Sequence, residues 1–175
     1  MENYINTFKN EVFLISEKTI KAYTAINENV DSKLIYTTIR QVQDIDLDSI
    51  IGPALNKRLQ EMVRTGEIAT NADYKDLLDN WITPYMCAQV TSAIQIYLNY
   101  KLVNSGVIQN DDERRSHLDY QANKSLMEQY EKYANAYAQK LKNHLCCNSN
   151  KYPEYHKTLE HQGEEEPQLC SIFLG

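Results

Sequence analysis

The chain has 175 residues, enough for one domain with a real core, and its 42% apolar and 24% charged residues mark a globular protein rather than a disordered one. A net charge of −6 and a pI near 5.2 disfavour non-specific binding to duplex nucleic acid, which depends on neutralising phosphates. With only 5 Gly and 4 Pro a turn-rich all-β fold is disfavoured, and 4 cysteines are too few for a disulfide framework and imply reduced thiols.

No run of about 18 apolar residues offers a membrane span, and the first residues, MENYINTFKNEVF, lack the charged-then-apolar build of a signal peptide. A soluble protein made in the cytoplasm is expected. The 13 tyrosines, against 3 Phe and 1 Trp, suit surfaces that become buried when a partner arrives, since Tyr joins an apolar ring to a polar tip.

In chain order, residues 1–15 read as an N-terminal arm. Ser16 then caps a first helix to about Asn27, with Ile20, Tyr23 and either Ala22 or Ile26 on its apolar side. Asp31 caps a second helix carrying Leu34, Ile35, Ile39 and Val42 at helical spacing. A third runs from Pro53 to Thr65, since Pro suits the first helical turn and Gly66 the position just past the end; Leu55, Leu59, Met62 and Val63 form its buried stripe.

After the linker GEIATNAD, with Asn71 or Asp73 as cap, helical pattern extends to about Asn104. Pro84 falls inside it and predicts a break or kink near Ile82 and Thr83. Ser105 and Gly106 end this helix. Asp111 or Asp112 opens the longest one, to about Leu145, with Leu118, Ala122, Leu126, Tyr130, Tyr133, Tyr137, Leu141 and Leu145 recurring every three or four residues. Such a helix spans roughly 50 Å, long for a compact domain of this size.

Beyond Asn148 the helical period disappears, the last two prolines occur, and the acidic run Glu164–Glu166 precedes an apolar tip. The expected architecture is an all-α helical bundle of residues 1–148, with one long C-terminal helix followed by an extended C-terminal arm, 149–175.

The stretch DIDLDSIIGPALNKRL, residues 44–59, looks like a site. A calcium loop of the EF-hand type needs glycine at its sixth position and a bidentate Glu at its twelfth; counted from Asp44, these are Ser49 and Leu55. A phosphate loop needs two glycines, then Lys and Ser or Thr, after a strand. Here Gly52 stands alone and Lys57 precedes Arg58. The stretch reads as a corner: Asp44, Asp46 and Asp48 interleave with Ile45 and Leu47 dipping into the core, Asp48 and Ser49 cap a turn, and Gly52-Pro53 re-aims the chain.

His144, Cys146, Cys147, His156, His161 and Cys170 invite a zinc reading, yet their spacing lacks the paired ligands of a finger or ribbon. Cys87 lies among apolar residues as core filler, and no G-x-S-x-G elbow or Gly-rich loop provides for nucleophilic catalysis. No enzyme chemistry, metal or cofactor is expected. Among the tyrosines of the long helix, the seam is expected in the core, and outliers such as Tyr120 and Tyr133 at an interface.

The ordered series IIGPALNKRL (50–59), YKDLLDNWITPY (74–85), NYKLVNSGV (99–107), ANAYAQKL (134–141), KYPEY (151–155) and the terminal SIFLG resembles the helical head-to-tail connector (adaptor) proteins of tailed bacteriophages. It resembles especially those of phages infecting Bacteroidetes, crAss-like phages included. Asn56 stands where an aromatic is commoner, and the first 30 residues carry no resemblance.

This resemblance implies a structural virion protein at the capsid vertex, made in the host cytoplasm. It would form a homo-oligomeric ring, commonly of twelve copies, beneath the portal protein, bridging to the tail or a second connector ring. DNA would pass through its channel without specific binding, as suits a negative chain. The expected partner-binding residues are Tyr152, Pro153, Tyr155, Ile172, Phe173 and Leu174, laid by the arm on a neighbour or the portal. The alternative is a small helical scaffolding or regulatory adaptor that works through pairwise contacts without a ring.

Overall fold

A computed structural model describes residues 11–26, 28–103, 106–109 and 120–155, with side chains described outside 99–123. It is an all-α bundle with one short hairpin. The helix α1 spans Glu17–Tyr23, and α2 spans Ser32–Gln41. The chain continues without a break through a π-helical segment, Val42–Leu47, into α3, Asp48–Ile51. Next come α4, Pro53–Thr65, α5, Ala72–Asp76, a second π-helical segment, Leu77–Ile82, and α6, Thr83–Asn99. The strands β1, Tyr100–Val103, and β2, Gly106–Gln109, pair antiparallel, and α7, Tyr120–Cys147, packs along α6.

The caps follow local chemistry. Ser16 accepts from the Thr19 amide and Asp31 from the Lys33 amide, each satisfying a donor that a helix start leaves open. Asn71 is the cap of α5, accepting from the Tyr74 amide. Gly52 (φ 80°) turns the chain before Pro53, and Gly66 (φ 79°, ψ 1°) closes α4 in the left-handed conformation. The first helix is shorter than its apolar pattern: at Thr24 the backbone becomes extended, and its hydroxyl donates to the Ile20 carbonyl.

Pro84 acts through the π-helical segment before it. The Thr83 amide donates to the Leu78 carbonyl five residues back, and its hydroxyl donates to the same oxygen at 2.8 Å. The predicted kink is thus one wide helical turn, which accommodates a proline ring without ending the helix.

Residues 100–103, expected to be helical, form the first strand of a hairpin; residue 104 lies outside the described residues. Tyr100 pairs with Gln109 and Val103 with Gly106, leaving two residues between the strands. Tyr100, Val103, Val107 and Ile108 are strand-prone, so local preference here outweighs the apolar period that runs on from α6.

One core joins the helices. Ile20, Ile35, Ile39, Leu47, Leu55, Leu59, Met62, Leu77, Ile82, Met86, Val90, Ile94, Leu141 and Leu145 are buried in it. Leu14 and Ile15, assigned to an arm, belong to this core as well. They are held by Gln43, a buried side chain whose Oε1 accepts from the Leu14 amide at 2.9 Å and whose Nε2 donates to the Val12 carbonyl at 3.0 Å.

Candidate functional site

Two regions stand out: the C-terminal turn and one edge of α7. After α7 a 3₁₀ turn, Ser149–Lys151, leads into helical residues 153–155. This segment is neither extended nor a separate unit. Tyr152 is 1% exposed and Tyr155 5%, both inside the chain's own core.

The ring of Tyr152 meets Tyr74 edge-on at 5.5 Å. Its hydroxyl donates to the Asp73 carbonyl and lies 3.3 Å from His144 Nε2. Burial pushes the Tyr152 phenol up to about 12, with the charges of Asp73 and Asp76 adding to the effect. Tyr74 in turn donates to Glu154 at 2.6 Å, and Lys151 pairs with Asp73 at 3.0 Å.

His144 stacks on Trp81 with ring centroids 4.1 Å apart, while Trp81 Nε1 donates to Asp76. Burial lowers the His144 pKa, opposed by the Asp76 carboxylate and reinforced by Lys151. The Asn148 amide group donates to the His144 carbonyl at 2.9 Å and stands 3.5 Å from Nδ1. A neutral ring with its proton on Nε2 fits this arrangement, because Nδ1 then faces a donor.

Tyr152 and Tyr155 therefore correct the expectation that they lie on a partner. The Tyr152 ring packs on Tyr74 of α5 and the Tyr155 hydroxyl stands by Cys146 of α7, so both are buried against the same chain. Pro153 is exposed. Ile172, Phe173 and Leu174 lie outside the described residues.

The α7 edge is built differently. Its buried line runs through Ala134, Leu141 and Leu145, with Met127, Tyr130 and Ala138 partly covered. Leu126, Tyr133 and Tyr137 lie beside that line and are 39%, 47% and 38% exposed. Tyr137, expected in the core seam, thus sits outside it, since alanines occupy the line where α7 packs on α6. Tyr130 meets Tyr133 edge-on at 6.0 Å and accepts at its hydroxyl from the Ala25 amide. Lys140 Nζ stands 5.6 Å from the Tyr137 ring centroid.

The acidic stretch after α2 is helical rather than a turn. Asp46 accepts from Gln89 and Asp48 from Asn56, whose Nδ2 also reaches the Gln43 carbonyl. Asn56 is buried, so this polar residue serves the corner where an aromatic was the commoner expectation. Ile45 does not dip into the core: it is 66% exposed, while Leu47 is fully buried.

Cys87 is buried, and this pushes its thiol up to about 11, as suits a packed rather than a reactive sulfur. Among the described residues no three His, Cys, Asp or Glu side chains converge to hold a metal ion. His144 is occupied by Trp81 and Tyr152, Cys146 lies 3.8 Å from the Tyr155 hydroxyl, and Cys147 is exposed. His156, His161 and Cys170 lie outside the described residues. A groove of about 710 Å³ is lined by apolar and polar side chains together, among them Phe13, Ile15, Tyr36, Thr19, Asp79 and Asn80.

These features define a helical-bundle protein whose C-terminal turn closes its own core and whose longest helix presents an aromatic edge. The chain belongs to DUF6712, a family of unknown function, whose model matches residues 47–163, more than half of the chain. That span takes in both the Tyr152 turn and the α7 edge. No curated protein and no solved structure matches the chain.

Proposed function

We propose that this protein is a structural component of the neck of a tailed phage. Copies would form a ring that joins the portal to the tail or a further connector ring and leaves a channel for DNA. The observation that carries this reading is the exposed edge of α7, Leu126, Tyr133 and Tyr137 on a rigid helix, a composition typical of protein interfaces.

The resemblance in the ordered series from residue 50 onward supports the same reading and supplies its portal and ring. Within it, the portal-directed role of the C-terminal segment narrows to Pro153, Ile172, Phe173 and Leu174, because Tyr152 and Tyr155 serve the bundle. Electron microscopy of the chain, alone and mixed with the portal of the same phage, tests the proposal. Rings coaxial with the portal are expected; one-to-one complexes without a ring would instead establish the pairwise adaptor.

A further inference from the structure

The C-terminal turn is fastened to α4 and α5 by polar contacts. Lys151 pairs with Asp73, the Tyr152 hydroxyl donates to the Asp73 carbonyl, and Tyr74 donates to Glu154, which also stands 4.0 Å from Arg58. His144 lies at the root of this turn. Trp81 stacks on its ring, Nε2 meets the Tyr152 hydroxyl at 3.3 Å, and Nδ1 meets the Asn148 side chain at 3.5 Å.

Asn148 leaves no place for a second ring proton. Its Nδ2 donates to the His144 carbonyl at 2.9 Å and faces Nδ1 from the same position, so a proton on Nδ1 meets a donor. Turning the amide over offers its oxygen to Nδ1 but sets that oxygen against the His144 carbonyl. Either way a hydrogen bond is lost at the residue that begins the turn. The Lys151 amide donates to the Asn148 carbonyl, and the Tyr152 amide to that of Ser149.

The charges around the ring act in both directions. Burial is the largest influence and lowers the ring's pKa from its ordinary 6.5; Asp76 of α5 opposes it, and Lys151 of the turn reinforces it. Asp76 is already engaged, by Asn80 at 2.7 Å and by the Trp81 indole at 3.2 Å. Asp73 and Glu154 are held by Lys151 and Tyr74, and on α7 itself Lys140, one turn earlier, lies over Tyr137.

We infer that the C-terminal turn is a pH-operated latch: protonation of His144 opens residues 148–155 away from α5 while the helices behind them stay folded. The neutral ring fits Asn148 and closes the latch; the charged ring loses that fit and repels Lys151. This inference goes beyond the ring reading and does not depend on it.

Trp81 is the chain's single tryptophan and touches His144, so its emission reports on the latch. Hydrogen exchange of the full chain at pH 8 and pH 5, corrected for the intrinsic rate at each pH, gives the local stability. Each unit by which folding lowers the ring's pKa shifts opening about tenfold, so protection at Lys151, Tyr152 and Tyr155 should fall about threefold or more at pH 5. Protection at Val90 of α6 should hold. Trp81 emission should begin to change near pH 6.5 as pH falls, and His144→Gln should abolish both responses. Constant protection at the turn would overturn the latch. So would an equal loss in α6, which is global unfolding, or the same response in His144→Gln. If that variant does not fold, the His144 ring is titrated by NMR in the unaltered chain: a midpoint that differs from that of the Trp81 response overturns the latch, and a matching one supports it.

Discussion

The Tyr152 hydroxyl donates to the carbonyl oxygen of Asp73 at 3.3 Å, joining residues 79 apart in sequence and fastening the end of the described chain to the start of α5. Because the Tyr152 ring is buried, Tyr152→Ala should destabilise the fold by about 3–5 kcal/mol, the usual cost of removing a core aromatic. Tyr152→Phe keeps the ring and loses the hydrogen bonds, for about 1–2 kcal/mol. Urea unfolding separates the two. Equal small losses would show that this turn contributes little to the fold.

His144 gives that turn a pH dependence. Its pKa is lowered in the fold from the ordinary 6.5 by burial, so folding favours the neutral ring. The stabilisation is complete above about pH 7.5 and is lost as pH falls through 6.5 toward the folded-state value, since the unfolded chain takes up the proton first. The Asp76 carboxylate, held low by the Asn80 amide, acts in a separate window below its ordinary 3.8. Melting temperatures between pH 5 and 8 should fall on the acid side in the native chain and fall less in His144→Gln.

Gln43 predicts a local defect. Gln43→Leu fits an apolar side chain but strands the Leu14 amide and the Val12 carbonyl, at a cost of about 1–3 kcal/mol. Hydrogen exchange should accelerate at Leu14 before it does in α6. Unchanged protection at Leu14 would mean that packing alone holds the N-terminal segment.

Gly66 tests conformation without packing. Its φ of 79° is left-handed, while a methyl group added there would meet nothing within 4 Å. Gly66→Ala should therefore cost about 1 kcal/mol through backbone strain alone. Gly66→Asn should cost less, because Asn tolerates that region better. Thermal denaturation of the two variants checks the order.

The helices were legible wherever a local signal existed. Ser16, Asp31 and Asn71 cap because a short polar side chain meets open amides, and Pro53 and Gly66 bracket α4 through their backbone preferences alone. The all-α class follows from the same signals. Periodicity misled where two faces compete: the row containing Tyr130 and Tyr137 has the spacing of a core seam, yet alanines take the inner line one residue away. The hairpin was hidden because an apolar run continues from α6 into β1, and short apolar runs do not distinguish helix from strand.

The sequence by itself determined most of the helical segments and many of their ends, because capping, proline and glycine act within a few residues. It also showed that the aspartates of residues 44–48 match neither a calcium loop nor a phosphate loop. Only the tertiary structure decided that Tyr152 is core, that Asn56 and Gln43 form a buried polar corner, and that Ile45 and Tyr137 face outward. Burial belongs to surfaces brought together from distant parts of the chain: a tyrosine has the same ring in either place, and what packs against it decides its role.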